Sequence, residues 1–319
     1  MTPPQLPFAI YSFTFRALQP IVNTKFSASL WHGQFGRALR EIVSCVQPRS
    51  ECKHCMLLHN CDYALLFYGA RPSYTQIMRK YDTIPVPHVF RGEISQTMQI
   101  QKDELFTIKM TLIGSSIKKL PTLIESMENI GQQGLTRQRF KARLNSVSVH
   151  YQEGQEQLLY ANGLLLSLAA EHIPTIPKCP SLIRLQWCTP YRDKAAKGKQ
   201  HPMRLNITKL IMTIIRRISL LQNFYTNTPL ETDFIQLKSY AQQLESSCLT
   251  QSLIFSQHSR YSAKHKAHIP TSGVLGYLDL SLNGLESLWA YLFLGQFLNV
   301  GQNASMGFGR YKILSVNAS

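Results

Sequence analysis

Residues 8–17 (FAIYSFTFRA) alternate in polarity and are rich in aromatic and β-branched side chains, which predicts a half-buried strand. Residues 32–46 place Phe35, Leu39, Ile42, Val43 and Val46 at the three-and-four spacing of an amphipathic helix. Residues 86–93 and 104–113 read as strands. Residues 117–130 read as a helix broken or begun by Pro121. A loop over 131–137 carries Gly131 and Gly134, and 140–149 alternates again as a strand. The order β, α, β, β, α, β is that of a ferredoxin-like (RRM-like) unit.

The second half repeats this order more loosely. Residues 182–187 read as a strand and 207–224 as a strong amphipathic helix. A β element near 253–255 and a strand at 273–282 follow. An apolar helix over 285–298 and a last strand at 310–314 complete the set. The two halves end alike: LPTLIESMENIGQQGLTRQRFKARL matches LESLWAYLFLGQFLNVGQNASMGFGRYKIL in the sequence helix, glycine loop, aromatic, basic residue, strand. This echo predicts an α+β protein of two tandem ferredoxin-like βαββαβ domains, 1–155 and 175–319, joined through a Pro-punctuated stretch.

Charge narrows the function. The 319 residues hold 34 Lys+Arg against 18 Asp+Glu, a formal net charge of +16, with 44% hydrophobic residues. An excess of this size points to a polyanionic partner, nucleic acid or an anionic membrane. The opening MTPPQLPF lacks a basic segment followed by an apolar core, and the longest apolar runs are interrupted by groups such as Arg216 and Arg217. A cytoplasmic nucleic-acid binder with no membrane partner is the expected class. The charge is also uneven. Residues 246–277 contain no acidic side chain but carry Arg260, Lys264, Lys266 and three histidines, and 192–217 carry eight Lys/Arg against Asp193. A locally biased solvated surface is the plain alternative for each stretch.

The loop between the last helix and the last strand holds Gly301, Gly307 and Gly309, followed by Arg310, Tyr311 and Lys312. Glycines so spaced allow sharp turns and close approach. This ending resembles the C-terminal glycine-rich loop of the RAMP superfamily of CRISPR-associated RNA-binding proteins, above all their precursor-crRNA processing endoribonucleases. LWHGQFGRALR followed by SCVQPRSECKHCMLLHNCDYALLF resembles the first helix and Cys-rich insert (45–61) of one branch of that family. FTIKMTLIGSS with IGQQGLTRQRF, and SRYSAKHKAHIPTSGVLGYLDL, resemble further segments of the branch. Thr136 stands where a further glycine is common, and Lys264 and His265 stand where Arg and Gln are common.

The resemblance implies a reaction: the RNA 2′-hydroxyl attacks its own phosphate, without metal, leaving a 2′,3′-cyclic phosphate and a 5′-hydroxyl. A base, an acid and phosphate-stabilising cations are needed, and histidine suits the proton transfers. His32, at the expected start of the first helix, is the first catalytic candidate, with packing beside Trp31 as the alternative. His258 or His265 is the next, with the Tyr261 hydroxyl assisting. Arg37, Arg40, Arg137, Arg260, Ser262, Lys264, Lys266, Gly301, Gly307, Gly309 and Arg310 are the RNA-binding candidates. The implied partners are CRISPR repeat RNA, retained as crRNA, and other subunits of an effector complex. A non-catalytic RNA-binding subunit on the same fold is the rival reading. A zinc-dependent DNA-binding regulator would use the basic helix 204–217, which nothing else supports.

Cys45, Cys52, Cys55 and Cys61 are spaced C-x6-C-x2-C-x5-C. In a reducing compartment such a set suits a structural Zn²⁺. An iron–sulfur cluster takes the same ligands, and unligated loop cysteines also fit the spacing. His54 and His59 are substitute ligands. No cofactor is expected in the cleavage itself.

Overall fold

The computed structural model describes residues 2–25, 28–45, 52–92, 97–136, 138–151, 154–193, 204–228, 231–257, 259–262 and 267–315. The chain divides into two compact units. The N-terminal unit is Leu6–Pro174 with Phe224–Asn227. The C-terminal unit is Met1–Gln5, Thr175–Asn223 and Thr228–Ser319. Each combines helices with antiparallel sheet.

The N-terminal unit contains β1 (Phe8–Ala17), β2 (Ile21–Lys25), α1 (Ala28–Ile42), β3 (His88–Arg91), β4 (Thr97–Ile100), β5 (Leu105–Ile113), α2 (Leu120–Gln133), β6 (Ala142–His150), β7 (Glu156–Ala161) and β8 (Leu164–Leu165). Its main sheet runs β3-β5-β1-β6-β7-β8, while β2 and β4 pair separately. Alternation in β1 decides the two faces. Ala9, Tyr11, Phe13, Phe15 and Ala17 are all essentially buried. They join one core with Trp31, Phe35 and Leu39 of α1 and Leu123, Met127 and Ile130 of α2. Phe15 sits between Trp31 and Phe106, at ring centroid separations of 5.2 and 5.5 Å. Such aromatic contacts add specificity to ordinary apolar burial. The other face of β1 presents Ser12, Thr14 and Arg16.

Helix α1 starts at Ala28, one turn before the expected His32, because Trp31 continues the buried stripe of Phe35 and Leu39 backwards. Pro121 lies in the first turn of α2, where a missing N–H costs nothing, so it begins this helix rather than breaking it.

The C-terminal unit contains β9 (Leu182–Tyr191), α3 (Ile207–Tyr225) except its last two residues, α4 (Phe234–Ser246), β10 (Cys248–Ser256), β11 (Ser259–Ser262), β12 (Ala267–Pro270), β13 (Gly273–Ser281), α5 (Trp289–Leu298) and β14 (Tyr311–Ser315). Its sheet runs β10-β13-β9-β14, and β11 and β12 form a separate hairpin. In both sheets the first strand lies between the later two that flank the second helix of the core pattern: β1 between β5 and β6, β9 between β13 and β14. Helix α5 is buried nearly all round, from Trp289 through Gly295, which explains its continuous apolar run. Tyr311 of β14 donates its hydroxyl to the Leu292 carbonyl at 2.7 Å and so ties strand to helix. Trp289 donates its indole N–H to the Pro177 carbonyl at 2.7 Å. Among the described residues no helix is long and apolar enough to cross a membrane.

Candidate nucleic-acid interface

The glycine loop is built around β9. Thr189 is fully buried; its hydroxyl donates to the Gly307 carbonyl at 2.7 Å and accepts from the Arg310 amide at 2.8 Å. The loop runs through left-handed backbone at Asn303, Gly307 and Gly309, with φ of +59°, +92° and +67°. What comes close to the glycines is the chain's own backbone. A Cβ on Gly309 would stand 1.8 Å from the Val300 carbonyl oxygen, and one on Gly301 would stand 2.6 Å from that of Arg192. The glycines are thus required by the loop's internal packing, which the sequence alone does not distinguish from approach to a ligand.

Arg192 joins this loop to the root of the basic hairpin. Its carbonyl accepts from the Gln302 amide at 2.9 Å. Its guanidinium donates to the Pro270 and Ser272 carbonyls at 3.0 and 3.1 Å, and lies 5.7 Å from the Phe308 ring centroid. In the hairpin, Arg260 pairs in register with Ile269, Tyr261 with His268, and Ser262 with Ala267. His258, Lys264, His265 and Lys266 lie outside the described residues, as does Arg137. The structure therefore brings Gly301, Gly307, Gly309 and Arg310 together on one loop. It attaches that loop through Arg192 to the strand pair that carries Arg260, Tyr261 and Ser262. Arg192 is the residue that sequence reading counted only as charge.

His32 sits elsewhere than expected. It falls in the second turn of α1, past the free N–H groups of the helix start. Its side chain is only 6% exposed. Its ring lies 4.7 Å from Phe67, 5.3 Å from His88 and 6.1 Å from Phe90, centroid to centroid. These partners are far away in sequence, so nothing local in LWHG signals the burial. Arg37 is exposed on α1. Arg40 is engaged, with its guanidinium carbon 4.6 Å from the Tyr63 ring centroid and its Nη2 3.9 Å from the Cys52 sulfur.

The face of the N-terminal sheet that carries Ser12 holds a largely buried polar cluster that the sequence did not single out. Ser12 Oγ lies 2.6 Å from His150 Nε2, and Glu156 Oε1 lies 3.7 Å from the same nitrogen. Ser148 donates its hydroxyl to that carboxylate oxygen. Burial holds the His150 imidazole below its ordinary pKa; Glu156 opposes this and Lys109 adds to it. Lys109 pairs in register with Ser12 and with Arg91, and Arg143 with Arg16, so the face is polar and basic. The available signal was the period-2 alternation of the strand at 140–149, which continues to His150.

Cys45, Cys52, Cys55 and Cys61 line one small cavity of about 20 Å³ with Leu58, Tyr63 and Ala64. All four are free thiols. Burial raises the pKa of Cys52, and the nearby Arg40 lowers it. Among the described residues, no three His, Cys, Asp or Glu side chains stand close enough, as placed, to hold a metal ion.

A family model described as an N-terminal domain matches residues 6–172. The model of the CRISPR-associated endoribonuclease Cas6 matches residues 185–311, which include β9, the hairpin and the glycine loop. No curated protein matches the chain. Among solved structures, Thermus thermophilus Cas6 aligns with a TM-score of 0.51 at 12% identity, over 97% of this chain and 99% of that one. A Cas6 product complex aligns with a TM-score of 0.51 at 14% identity, over 97% and 99%. A longer chain of a partial Cas6-RT-Cas1–Cas2 complex aligns with a TM-score of 0.50 at 14% identity, over 98% of this chain and 46% of that one. At these identities the structural likeness concerns the fold. Residues 185–311 of this chain thus match the family of CRISPR-associated Cas6 endoribonucleases, and the fold of the whole chain is like theirs.

Proposed function

We propose that this protein binds CRISPR repeat RNA and cuts it once to yield mature crRNA, by attack of a 2′-hydroxyl on the adjacent phosphate and without a metal ion in the reaction. The ends are a 2′,3′-cyclic phosphate and a 5′-hydroxyl, and the product stays bound for transfer to other CRISPR subunits. Both units are read as ferredoxin-like, from the βαββαβ order that each follows. The observation that carries the proposal is the Cas6 family match over residues 185–311, which spans the two features that Arg192 holds together. The net charge of +16 supports a polyanionic substrate.

A general base must come within hydrogen-bond reach of the 2′-hydroxyl. The ring of His32 is walled by Phe67, His88 and Phe90, so the proposal gives it a packing role. His258 and Tyr261, at the hairpin, are assigned the proton transfers, and Arg260, Ser262, Lys264, Lys266 and Arg310 the phosphate contacts. Arg37 and Arg137 are assigned to RNA as well. The basic face with Lys109 and His150 is a further surface for the strand.

The test is cleavage of the cognate repeat RNA in EDTA by the native protein and by the variants His32→Ala, His258→Ala and Tyr261→Phe, with affinity measured on 2′-deoxy RNA. Loss of a cyclic-phosphate product in the hairpin variants, with binding retained, is the expected result. Loss in His32→Ala alone, among folded proteins, refutes the assignment of roles. Tight binding by the native protein with no cutting favours the rival reading, a non-catalytic crRNA-binding subunit.

A further inference from the structure

We propose that Cys45, Cys52, Cys55 and Cys61 hold one structural Zn²⁺ that closes the insert following α1. The first observation is convergence. The cysteines come from the end of α1, from a turn at Cys52–His54 and from the approach to a helical turn at Ala64–Tyr68, yet all four line the same cavity. The second is that the insert has little apolar packing of its own. The turns at Cys52–His54 and Leu58–Asn60 bury no side chain, Met56 is fully exposed and Leu57 is 52% exposed. A segment that buries so little apolar surface does not offset its ordering entropy by packing. Something else must hold it, and besides Leu58 the groups it turns into the cavity are thiols.

The donor set selects the ion. Four thiolates enclose a tetrahedral Zn²⁺ at about 2.3 Å each, which places the sulfurs about 3.7 Å apart and leaves no open position. A site so closed is structural. Cys52 and Cys55 already share a turn in which the Cys55 amide donates to the Cys52 carbonyl at 2.9 Å. As placed, the side chains stand wider than ligation requires. Binding therefore contracts the cavity, with displacement of thiol protons. The Zn(Cys)₄ unit carries a net charge of −2. Arg40, with Nη2 3.9 Å from the Cys52 sulfur, is the cation that faces it. Arg40 is thus given to the insert rather than to RNA.

The test uses the full chain, purified without chelator. Elemental analysis is expected to give one zinc per chain. In the native protein, three of the seven cysteines are expected to react with a thiol reagent, and all seven once a strong chelator is present and the chain is unfolded. Cobalt exchanged into the site is expected to give the visible bands of a tetrahedral thiolate centre. Cys52→Ser with Cys55→Ser abolishes the stoichiometry, whereas Cys188→Ser leaves it at one. The wild-type thiol count decides the matter even if the double variant does not fold. Absence of zinc together with failure to take it up overturns the proposal. Iron with labile sulfide, or disulfides within the set, overturns it equally.

Discussion

Replacing Gly309 with alanine separates two explanations of the glycine loop. The residue has φ of +67°, and an added Cβ would lie 1.8 Å from the Val300 carbonyl oxygen. Left-handed backbone costs an L-residue about 1–2 kcal/mol. The clash forces a displacement of at least about 1.6 Å before ordinary contact is restored. That displacement breaks the bonds from the Val300 amide to the Gly309 carbonyl and from the Gly309 amide to the Pro190 carbonyl, both 3.0 Å. Each such bond is worth about 0.5–1.5 kcal/mol. The sum is about 2–5 kcal/mol. With a urea slope of about 2 kcal/mol per molar, the unfolding midpoint should fall by roughly 1–2.5 M. The assay is urea unfolding, paired with repeat-RNA affinity at one fixed salt concentration. An unchanged midpoint with a large loss of affinity refutes the reasoning, because the glycine would then be making room for RNA and not for Val300.

Three further outcomes are expected. His32→Ala should lower stability by about 2–4 kcal/mol, as other large-to-small core substitutions do, while cleavage per folded molecule stays near native; denaturation curves and single-turnover rates check both halves. Because burial depresses the His150 pKa from its usual 6.5, the unfolded chain takes up this proton first. The contribution of His150 is therefore full above about pH 6.5, and is lost as pH falls through the lower folded value. His150→Asn should flatten that part of a stability-against-pH curve, and an unchanged curve would remove His150 as its cause. Lys109→Ala should reduce the slope of log affinity against log salt by about 0.7–0.9 without altering sequence preference, measured by RNA titration across a salt series.

Much of the fold was legible because burial and polarity agreed along the chain. Every second residue of Phe8–Ala17 is buried, so the period-2 pattern marked this strand to its ends. The continuous apolar run of α5 was equally plain. Helix α4 was missed because its buried stripe is only Leu237, Ala241 and Leu244, and its exposed face includes Ile235. Asp233 caps it, accepting from the amides of Ile235 and Gln236, and was the available signal. Strands β7, β8 and β11 are short or half exposed, and such segments carry little alternation. What spacing marks locally, the structure keeps together: the four cysteines line one cavity and the glycines share one loop. The candidate site was not legible where partners arrive from afar: Phe67 and His88 against His32, Ser12 against His150, and Pro270 against Arg192 are all tertiary pairings.

Neither compact unit is written as one uninterrupted stretch of chain. The N-terminal unit takes in Phe224–Asn227, and the C-terminal unit takes in Met1–Gln5. Within the N-terminal unit, Gly114 lies so close to Tyr225 that a Cβ there would stand 2.0 Å from the Tyr225 carbonyl oxygen. A ribosome that has translated through Pro174 has therefore not yet supplied everything this unit packs against. The first residues to emerge belong to a body whose strands appear only later. Synthesis of this protein is a wait at both ends, during which apolar sheet and helix faces stay incompletely covered and open to misassociation. A chain cut between residues 174 and 175 reproduces that waiting state permanently, so the intact chain is the unit to express.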